Sequence, residues 1–510
     1  MSDSVDSAMD DCAVVGHWQP QSSAAKDAHS VHLPMEILEE IMRYICVEIA
    51  LDASTLLIEG WHLRAVCSQW RNCFFSSTRL WNSWVITPLI DKDLDATNHQ
   101  MLQKIVDFHN ARADFLLPLL TRSTRTLAVH LDWPLPKSMQ EHFCMIKIVS
   151  AVIAESDRWK HLKFVTSDQY RYNPVTTLER MPISTLSHRD FPRLRSLDLI
   201  HYSYFVEPFS SFDLFARCGS LRVAKVMFIT PSSSDFPIQL PWSQLKELSL
   251  DLDTHPEALT SLAECRDLQK LTLYTSWIND EDLPRIAPIL LNRLGTLTFI
   301  PQEQIEMEVV EESEPLLLPL SLFTLPSLQT LKVLTNYLDA QETIYVNWDS
   351  TDFSLFISRS QCQISHIVIQ PIMHVREEFL CSLKALHHLT HLILPGLSGS
   401  SIVVNNLLRE LTAGYRVGET DEDVELPALR HLSLGFDVQA VDEVLLLNMA
   451  RARCVQSLGI SLPPLSTLNI LSWKGKFSER FYAEIAHLRE ECNLTTIINL
   501  TDIGQEEGAE

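Results

Sequence analysis

His188-Arg189-Asp190 has the residue types of a phosphoryl-transfer loop, in which the aspartate takes a hydroxyl proton and an asparagine five residues on holds a metal ion. Here that later position is Arg195, and neither a glycine-rich phosphate loop nor a paired lysine accompanies it. Asp91, Asp93 and Asp95 alternate as in a calcium loop. However, Ala96 stands where the sharp turn needs glycine, and Leu102 where a bidentate carboxylate would close the shell. They read instead as a loop capping the helix that follows. Gly396-Leu397-Ser398-Gly399 is one residue short of the strained turn that presents a nucleophilic serine, and it follows a strand pattern where a turn is expected anyway. His387, His388 and His391 offer imidazoles but lack a second ligand cluster at matching spacing. The sequence therefore predicts no catalytic, cofactor-binding or metal-ligating residue, and a protein that is not an enzyme.

Composition narrows the partners. The 510 residues carry 41 Lys plus Arg against 65 Asp plus Glu, a net charge of −24, which repels polyphosphates and argues against binding to nucleic acid or to an anionic membrane. No run approaches the roughly 18 apolar residues of a membrane span. The eleven cysteines are scattered, odd in number and without a CxxC pair, as expected of reduced core thiols in an intracellular protein, cytoplasmic or nuclear.

What remains is apolar surface in need of a partner. In "HLPMEILEEIMRYIC", Pro34 suits a first helical turn and the early glutamates suit the positive end of the helix dipole. Leu33, Ile37, Leu38, Ile41 and Ile45 recur at helical spacing, and Met35 and Met42 broaden that face. A second helix is predicted in "LRAVCSQWRNCFF", with Leu63, Val66, Cys67, Trp70 and Phe74 on one side, before Leu80, Trp81 and Trp84. Helices this short cannot hide so much apolar surface alone, which suits helix-in-groove recognition.

Leu33-Pro34, Glu36-Ile37-Leu38, Ile41, Leu63, Val66-Cys67, Trp70-Arg71 and Leu80-Trp81 together resemble the F-box motif. The version resembled is the fungal, basidiomycete-type one that precedes a degenerate leucine-rich tail. The resemblance covers residues 31–85. It implies docking to the Skp adaptor, and through it to cullin, by Leu33, Pro34, Ile37, Leu38, Ile41, Leu63, Val66, Cys67 and Trp70. The join "CVEIALDASTLLIEG" is longer than the family's usual one, and an extra turn or bulged loop there would reduce adaptor affinity.

Farther along, apolar-x-x-apolar-x-apolar recurs from Leu194, Leu221, Leu245, Leu268, Leu294, Leu328, Ile364, Leu389, Leu429 and Val455, at intervals of 27, 24, 23, 26, 34, 36, 25, 40 and 26 residues. Weaker copies precede it in "TRTLAVHL" and "WKHLKFV". Helical patterns such as "REEFLCSLKAL" and "VDEVLLLNMARARC" lie between the cores. Strand, turn, helix and return, repeated, predicts an α/β fold: a short helical N-terminal module, then an irregular leucine-rich-repeat solenoid with parallel strands on one face and helices on the other. The expected organisation is a flexible tail over 1–30, the helical module over 31–85, a helical linker over 86–122, the solenoid over 123–502 and an acidic tail over 503–510.

Side chains alternate across a strand, so the x positions of each core face away from the interior. Asp198, Lys225, Asp251, Tyr274, Lys332, His366, His391 and His431 are the charged and aromatic residues expected on that open surface, as contacts for a protein substrate or simply as a solvated sheet. His366, His391 and His431 share one phase, about 5 Å apart if their strands are neighbours. That spacing predicts a polar, pH-sensitive recognition strip. The 40-residue interval before Leu429 leaves room for a strand that would separate His431 from the other two. Two functions follow: the resemblance implies a substrate receptor of a Skp-cullin-F-box ubiquitin ligase, the favoured reading, and the alternative is a non-enzymatic leucine-rich-repeat interaction scaffold with a helical cap and no ligase role.

Overall fold

A computed structural model describes residues 33–45, 49–52, 66–77, 83–87, 107, 126–134, 146–167, 191–202, 213–229, 239–251, 258–275, 287–301, 316–334, 345–347, 349–370, 372–374, 377–398, 401–412, 426–454, 464–472, 475–492 and 494–500. The fold is α/β, built on one large parallel sheet. Its strands are β1 (Ile49–Asp52), β2 (Ser83–Thr87), β3 (Leu127–Pro134), β4 (Trp159–Ser167), β5 (Ser196–Tyr202), β6 (Val223–Ile229), β7 (Glu247–Asp251) and β8 (Lys270–Thr275). They continue as β9 (Thr296–Pro301), β10 (Thr330–Val333), β11 (His366–Ile369), β12 (His391–Ser398), β13 (His431–Phe436), β14 (Thr467–Ser472) and β15 (Thr495–Leu500). Each pairs in parallel with the strands before and after it in this order. Three short segments, Leu316–Leu317, Tyr345–Asn347 and Ile372–His374, add a second parallel ladder against the end of β12.

The strand pattern arises from a repeated local device. In each core the first, fourth and sixth residues, for example Leu268, Leu271 and Leu273 or Leu389, Leu392 and Leu394, are fully buried. A further apolar residue lies three positions earlier: Phe191, Cys218, Trp242, Cys265, Leu291, Leu325, Leu386 and Leu426 are all buried, and each carbonyl accepts the amide of the residue that opens the core. That turn aims the chain into the sheet, and the next amide then bonds to the preceding rung, as Gln269 N to Lys246 O at 2.8 Å. Main-chain bonding thus fixes where each strand enters the sheet.

Helices close the buried side of the leucine layer. They are α1 (Met35–Ile45), α2 (Ser68–Ser76), α3 (Ile146–Ala154), α4 (Ala258–Leu262), α5 (Ser350–Ser360), α6 (Glu377–Lys384), α7 (Ser401–Thr412), α8 (Glu443–Cys454) and α9 (Glu479–Cys492). Phe353, Phe356, Phe379, Leu408, Leu446, Met449, Phe481 and Ile485 bring the later helices into the same apolar cluster as the strand leucines. Where the repeat interval is shortest, around β6 to β8, the described residues between strands hold a 3-10 turn at Trp242–Gln244 and the five-residue α4. Burial pushes the thiols of Cys265 and Cys454 up to about 12 and that of Cys362 up to about 11, as expected of inert core cysteines.

Several expectations are corrected. The segment predicted to be an all-helical module contains β1 and β2, which pair with each other and carry the sheet back from β3. Residues 49–52 of the long join after Cys46 thus form a strand, and residues 53–65 lie outside the described residues. The core from Val455 lies outside the described residues. Direct pairing of β13 with β14 shows that the next rung is "LSTLNI" from Leu465, with the end of α8 tied to it by Leu465 N on Arg453 O at 2.9 Å. Gly396 and Ser398 lie within β12, not in a turn after it. Of the predicted linker helix only Asp107 is described, in helical conformation. Residues 91–95 and 188–190 also fall outside the described residues.

Candidate functional site

The N-terminal helices divide their apolar residues between two destinations. Leu38 and Met42 of α1 and Cys73 and Phe74 of α2 are buried in the main core, with Leu33 and Trp70 packed partly against it. Gln69 Nε2 donates to Leu33 O at 2.6 Å, and Ser77 Oγ donates to Glu39 Oε1 at 2.5 Å, so the two helices advance side by side in the same sense. Left outside are Met35, Ile37 and Val66, at 43, 48 and 58% exposure, beside the exposed Pro34 and Cys67. Ile41 is half-buried, and Leu63 lies outside the described residues. Val66 and Cys67 do not share the helix face as predicted: α2 begins at Ser68, and Cys67 is its extended N-cap residue, with φ −162°. The exposed positions are nonetheless apolar, and large apolar side chains left in water mark contact sites when they gather.

The second candidate is the sheet face turned away from the leucine layer. Residues in register form rows across the strands. One row runs Ala128, His161, Ser196, Val223, Glu247, Lys270, Thr296, Thr330, His366, His391, His431, Thr467 and Thr495. Two residues farther along each strand runs His130, Lys163, Asp198, Lys225, Ser249, Thr272, Thr298, Lys332, Val368, Ile393, Ser433 and Asn469. Asp198 stands between two lysines in this second row. Burial raises its carboxyl above the usual range, and Lys225, Lys163 and His130 oppose that rise. Lys225 Nζ also lies 5.4 Å from the centroid of the Tyr274 ring, a cation–π contact.

Asp251 and Tyr274 belong to a third row and correct the expectation of an open surface. Both are buried, at 3 and 7% exposure. Neighbouring positions of that row, Ile200, Met227 and Ile300, form a small apolar cluster of their own with Tyr274, against which Val165 and Leu334 pack. Alternation turned these residues outward correctly, but an outward row rich in apolar residues makes its own core instead of a wet face. Asp198, Lys225, Lys332, His366, His391 and His431 are all half-buried and remain accessible.

In the first row His366, His391 and His431 occupy consecutive strands. Register places His366 against His391 and His391 against His431, with no strand between them. The residues separating Leu394 from Leu429 include α7, which packs on the far side of the sheet. Successive ring centroids are 4.0 Å apart, with interplanar angles of 15° and 19°.

Neighbouring hydroxyls orient two of the rings. Thr390 Oγ1 donates its hydrogen to Ser365 O at 2.9 Å, and Ser365 Oγ donates to Gln329 O at 3.2 Å. The same oxygens lie 2.8 Å from His391 Nδ1 and His366 Nδ1, in hydrogen bonds whose donor depends on the tautomer of each ring. Burial, then His366 and His431, push His391 down to about 4. Burial, then His431 and Lys332, lower His366. At neutral pH both rings are hydrogen-bond acceptors. The shared phase of the three histidines is legible in the sequence. The hydroxyl before each of the first two is a signal that the repeat pattern alone does not single out.

Among the described residues, no helix is long and apolar enough to cross a membrane. In comparisons with known proteins, no family model matches the chain, and no curated protein matches it.

Proposed function

We propose that the chain is a substrate receptor of a Skp-cullin-F-box ubiquitin ligase. In this reading the α1–α2 pair docks on the Skp adaptor, and the outward sheet rows of a leucine-rich-repeat-like solenoid hold a protein substrate. The observation that carries it is the division of the N-terminal helices: Leu38, Met42, Cys73 and Phe74 attach the pair to the body, while Met35, Ile37 and Val66 stay in water. The receptor needs no reacting group of its own. It raises the effective concentration of a substrate lysine near a transfer enzyme carried elsewhere in the assembly.

A second reading has its own support. Because β1 and β2 extend the sheet into the N-terminal segment, α1 and α2 also suit a cap over the end of an interaction scaffold. Co-purification of the full chain with a fungal Skp adaptor separates the two. Ile37→Asp with Val66→Asp places charges on exposed positions, so the fold is retained by circular dichroism. Each lost apolar contact is worth about 1.5–3 kcal/mol, more than tenfold in affinity. Capture of the parent chain and loss of the double variant supports the receptor. Failure of both to bind favours the scaffold.

A further inference from the structure

We infer that the N-terminal edge of strands β4 to β7 is a docking site for an extended acidic peptide, held by the cationic ladder Lys160, Arg195, Arg222 and Lys246. Each is the second residue of its core. Arg195 N donates to Lys160 O at 2.8 Å, Arg222 N to Arg195 O at 2.9 Å and Lys246 N to Arg222 O at 2.8 Å, so the four occupy equivalent places on consecutive rungs. Arg195 and Lys246 are exposed, and Lys160 and Arg222 are half-buried. Among the described residues, none of the four is in an ion pair. Partial burial, then the charges of Lys160 and Arg195, hold the neighbouring His161 below its ordinary range. The second row adds Lys163 and Lys225 on either side of Asp198, and Glu247 of the first row is already paired with Lys270 at 2.8 Å. In a chain with 65 Asp plus Glu against 41 Lys plus Arg, cations on four consecutive rungs reverse the sign locally, which favours a partner of opposite charge.

The spacing sets the size of the ligand. Strands lie about 4.8 Å apart, so the ladder spans about 14 Å, the length of about four residues of extended chain. Arg222 is oriented in advance: its Nη1 donates to Leu221 O at 2.8 Å and to Gly219 O at 3.1 Å, and its Nε and Nη2 make no bond among the described residues. That Nε–Nη2 edge is the fork that takes a carboxylate in two parallel hydrogen bonds. A nucleic acid fits the same charges less well. Single strands are held by stacking bases on aromatic side chains, yet the first two rows of β4 to β8 carry no Phe, Tyr or Trp, and Tyr274 of the third row is buried. The net charge of −24 also repels a long polyphosphate more than it repels a short acidic segment.

The ladder gives the receptor reading a class of substrate, and it rests on that reading only for calling the peptide a substrate. Binding is therefore measured on the full chain without adaptor, by fluorescence polarisation of labelled hexaglutamate, with hexaglutamine and hexathymidylate as comparison probes. Arg195→Glu with Lys246→Glu reverses the two exposed members of the ladder. Arg480→Glu with Arg489→Glu makes the same change of net charge at exposed positions of α9. The expected result is that the parent chain binds hexaglutamate in preference to hexaglutamine. The ladder variant then loses about tenfold in affinity, while the α9 variant stays within about twofold at physiological salt. No preference for hexaglutamate in the parent chain, or equal loss in the two variants, would overturn the site. Tighter binding of hexathymidylate than of hexaglutamate would overturn the peptide assignment. Adaptor capture by the parent chain is scored separately: its failure removes the receptor reading and leaves the peptide site standing, whereas absent peptide binding with capture intact removes the site alone.

Discussion

Gly435 ties the fold to the histidine strip and can be tested with internal controls. In β13 it faces a register shift in β12, where Leu394 pairs with Leu434 and Leu397 with Phe436, so the single residue Gly435 opposes Pro395 and Gly396. This is a β-bulge, which accommodates a proline that cannot donate to the ladder. A Cβ on Gly435 would stand 1.8 Å from the carbonyl oxygen of Pro395 and 2.5 Å from its carbon. Both neighbours are backbone, so no rotamer change relieves the contact. In Gly435→Ala the strands must separate there. Overpacking costs about 1–3 kcal/mol, and one or two weakened ladder bonds add about 1 kcal/mol each, for a total of about 2–5 kcal/mol. Two other glycines provide the scale: a Cβ on Gly219 meets nothing within 4 Å, and one on Gly295 meets only Gln269 O at 3.8 Å. Gly219→Ala and Gly295→Ala should therefore lie within about 0.5 kcal/mol of the parent chain. Urea unfolding followed by circular dichroism ranks the three, and a Gly435→Ala variant as stable as Gly219→Ala would refute the reasoning.

Two further outcomes follow from other parts of the structure. Arg453, fully buried on α8, donates Nε to Leu411 O at 2.7 Å and Nη1 to Leu426 O at 2.8 Å. Arg453→Met strands both carbonyls at about 1–3 kcal/mol each, whereas Arg451→Met removes only the exposed pair with Glu484 and costs less than about 1 kcal/mol; equal shifts in urea midpoint would contradict this. Acidification acts through His391, whose folded value of about 4 lies below the ordinary 6.5, and through His366, which is also lowered. Between those limits the unfolded chain binds more protons, so stability present above pH 6.5 is lost as pH falls toward about 4 and is level below it. Solvent screening holds the effect to about 1 kcal/mol. His391→Gln should flatten that part of the stability curve, and an unchanged slope would count against it.

The strands were readable because a parallel sheet with a leucine layer on one side imposes a short, strict pattern, and a residue such as Leu271 has no alternative place. The pattern was less decisive where two segments satisfied it. Val455 and Leu465 both open an acceptable core, and only the pairing of β13 with β14 distinguishes them. The buried residue three positions before eight of the cores is not legible in the sequence, because Cys218, Trp242 and Leu291 share no side-chain type although their carbonyls do the same work. Phase put the histidines on one line. Their contact was not legible, since a 40-residue interval says nothing about whether the chain returns to the adjacent position. The apolar third row has a similar cause: alternation gives the side of the sheet, and burial depends on what the neighbouring strands place beside it.

A sheet of this kind suits recognition by a line rather than by a pocket. Each strand contributes one residue to each row, and strands are spaced about 4.8 Å apart, so a run of like residues becomes a strip with a fixed pitch. The histidine strip shows the consequence. A single imidazole on this face would have free choice of rotamer and tautomer. Stacking at 4.0 Å and the Ser365 and Thr390 hydroxyls hold His366 and His391 in orientation. His431 follows Arg430, which offers no hydroxyl at the equivalent place, so stacking against His391 is what orders it. The row is thus most constrained at His391, which has a ring on each side and a hydroxyl behind it. A ligand that engages the strip must therefore meet His391, and any substitution that moves β13 away from β12 reaches the strip through the same ring.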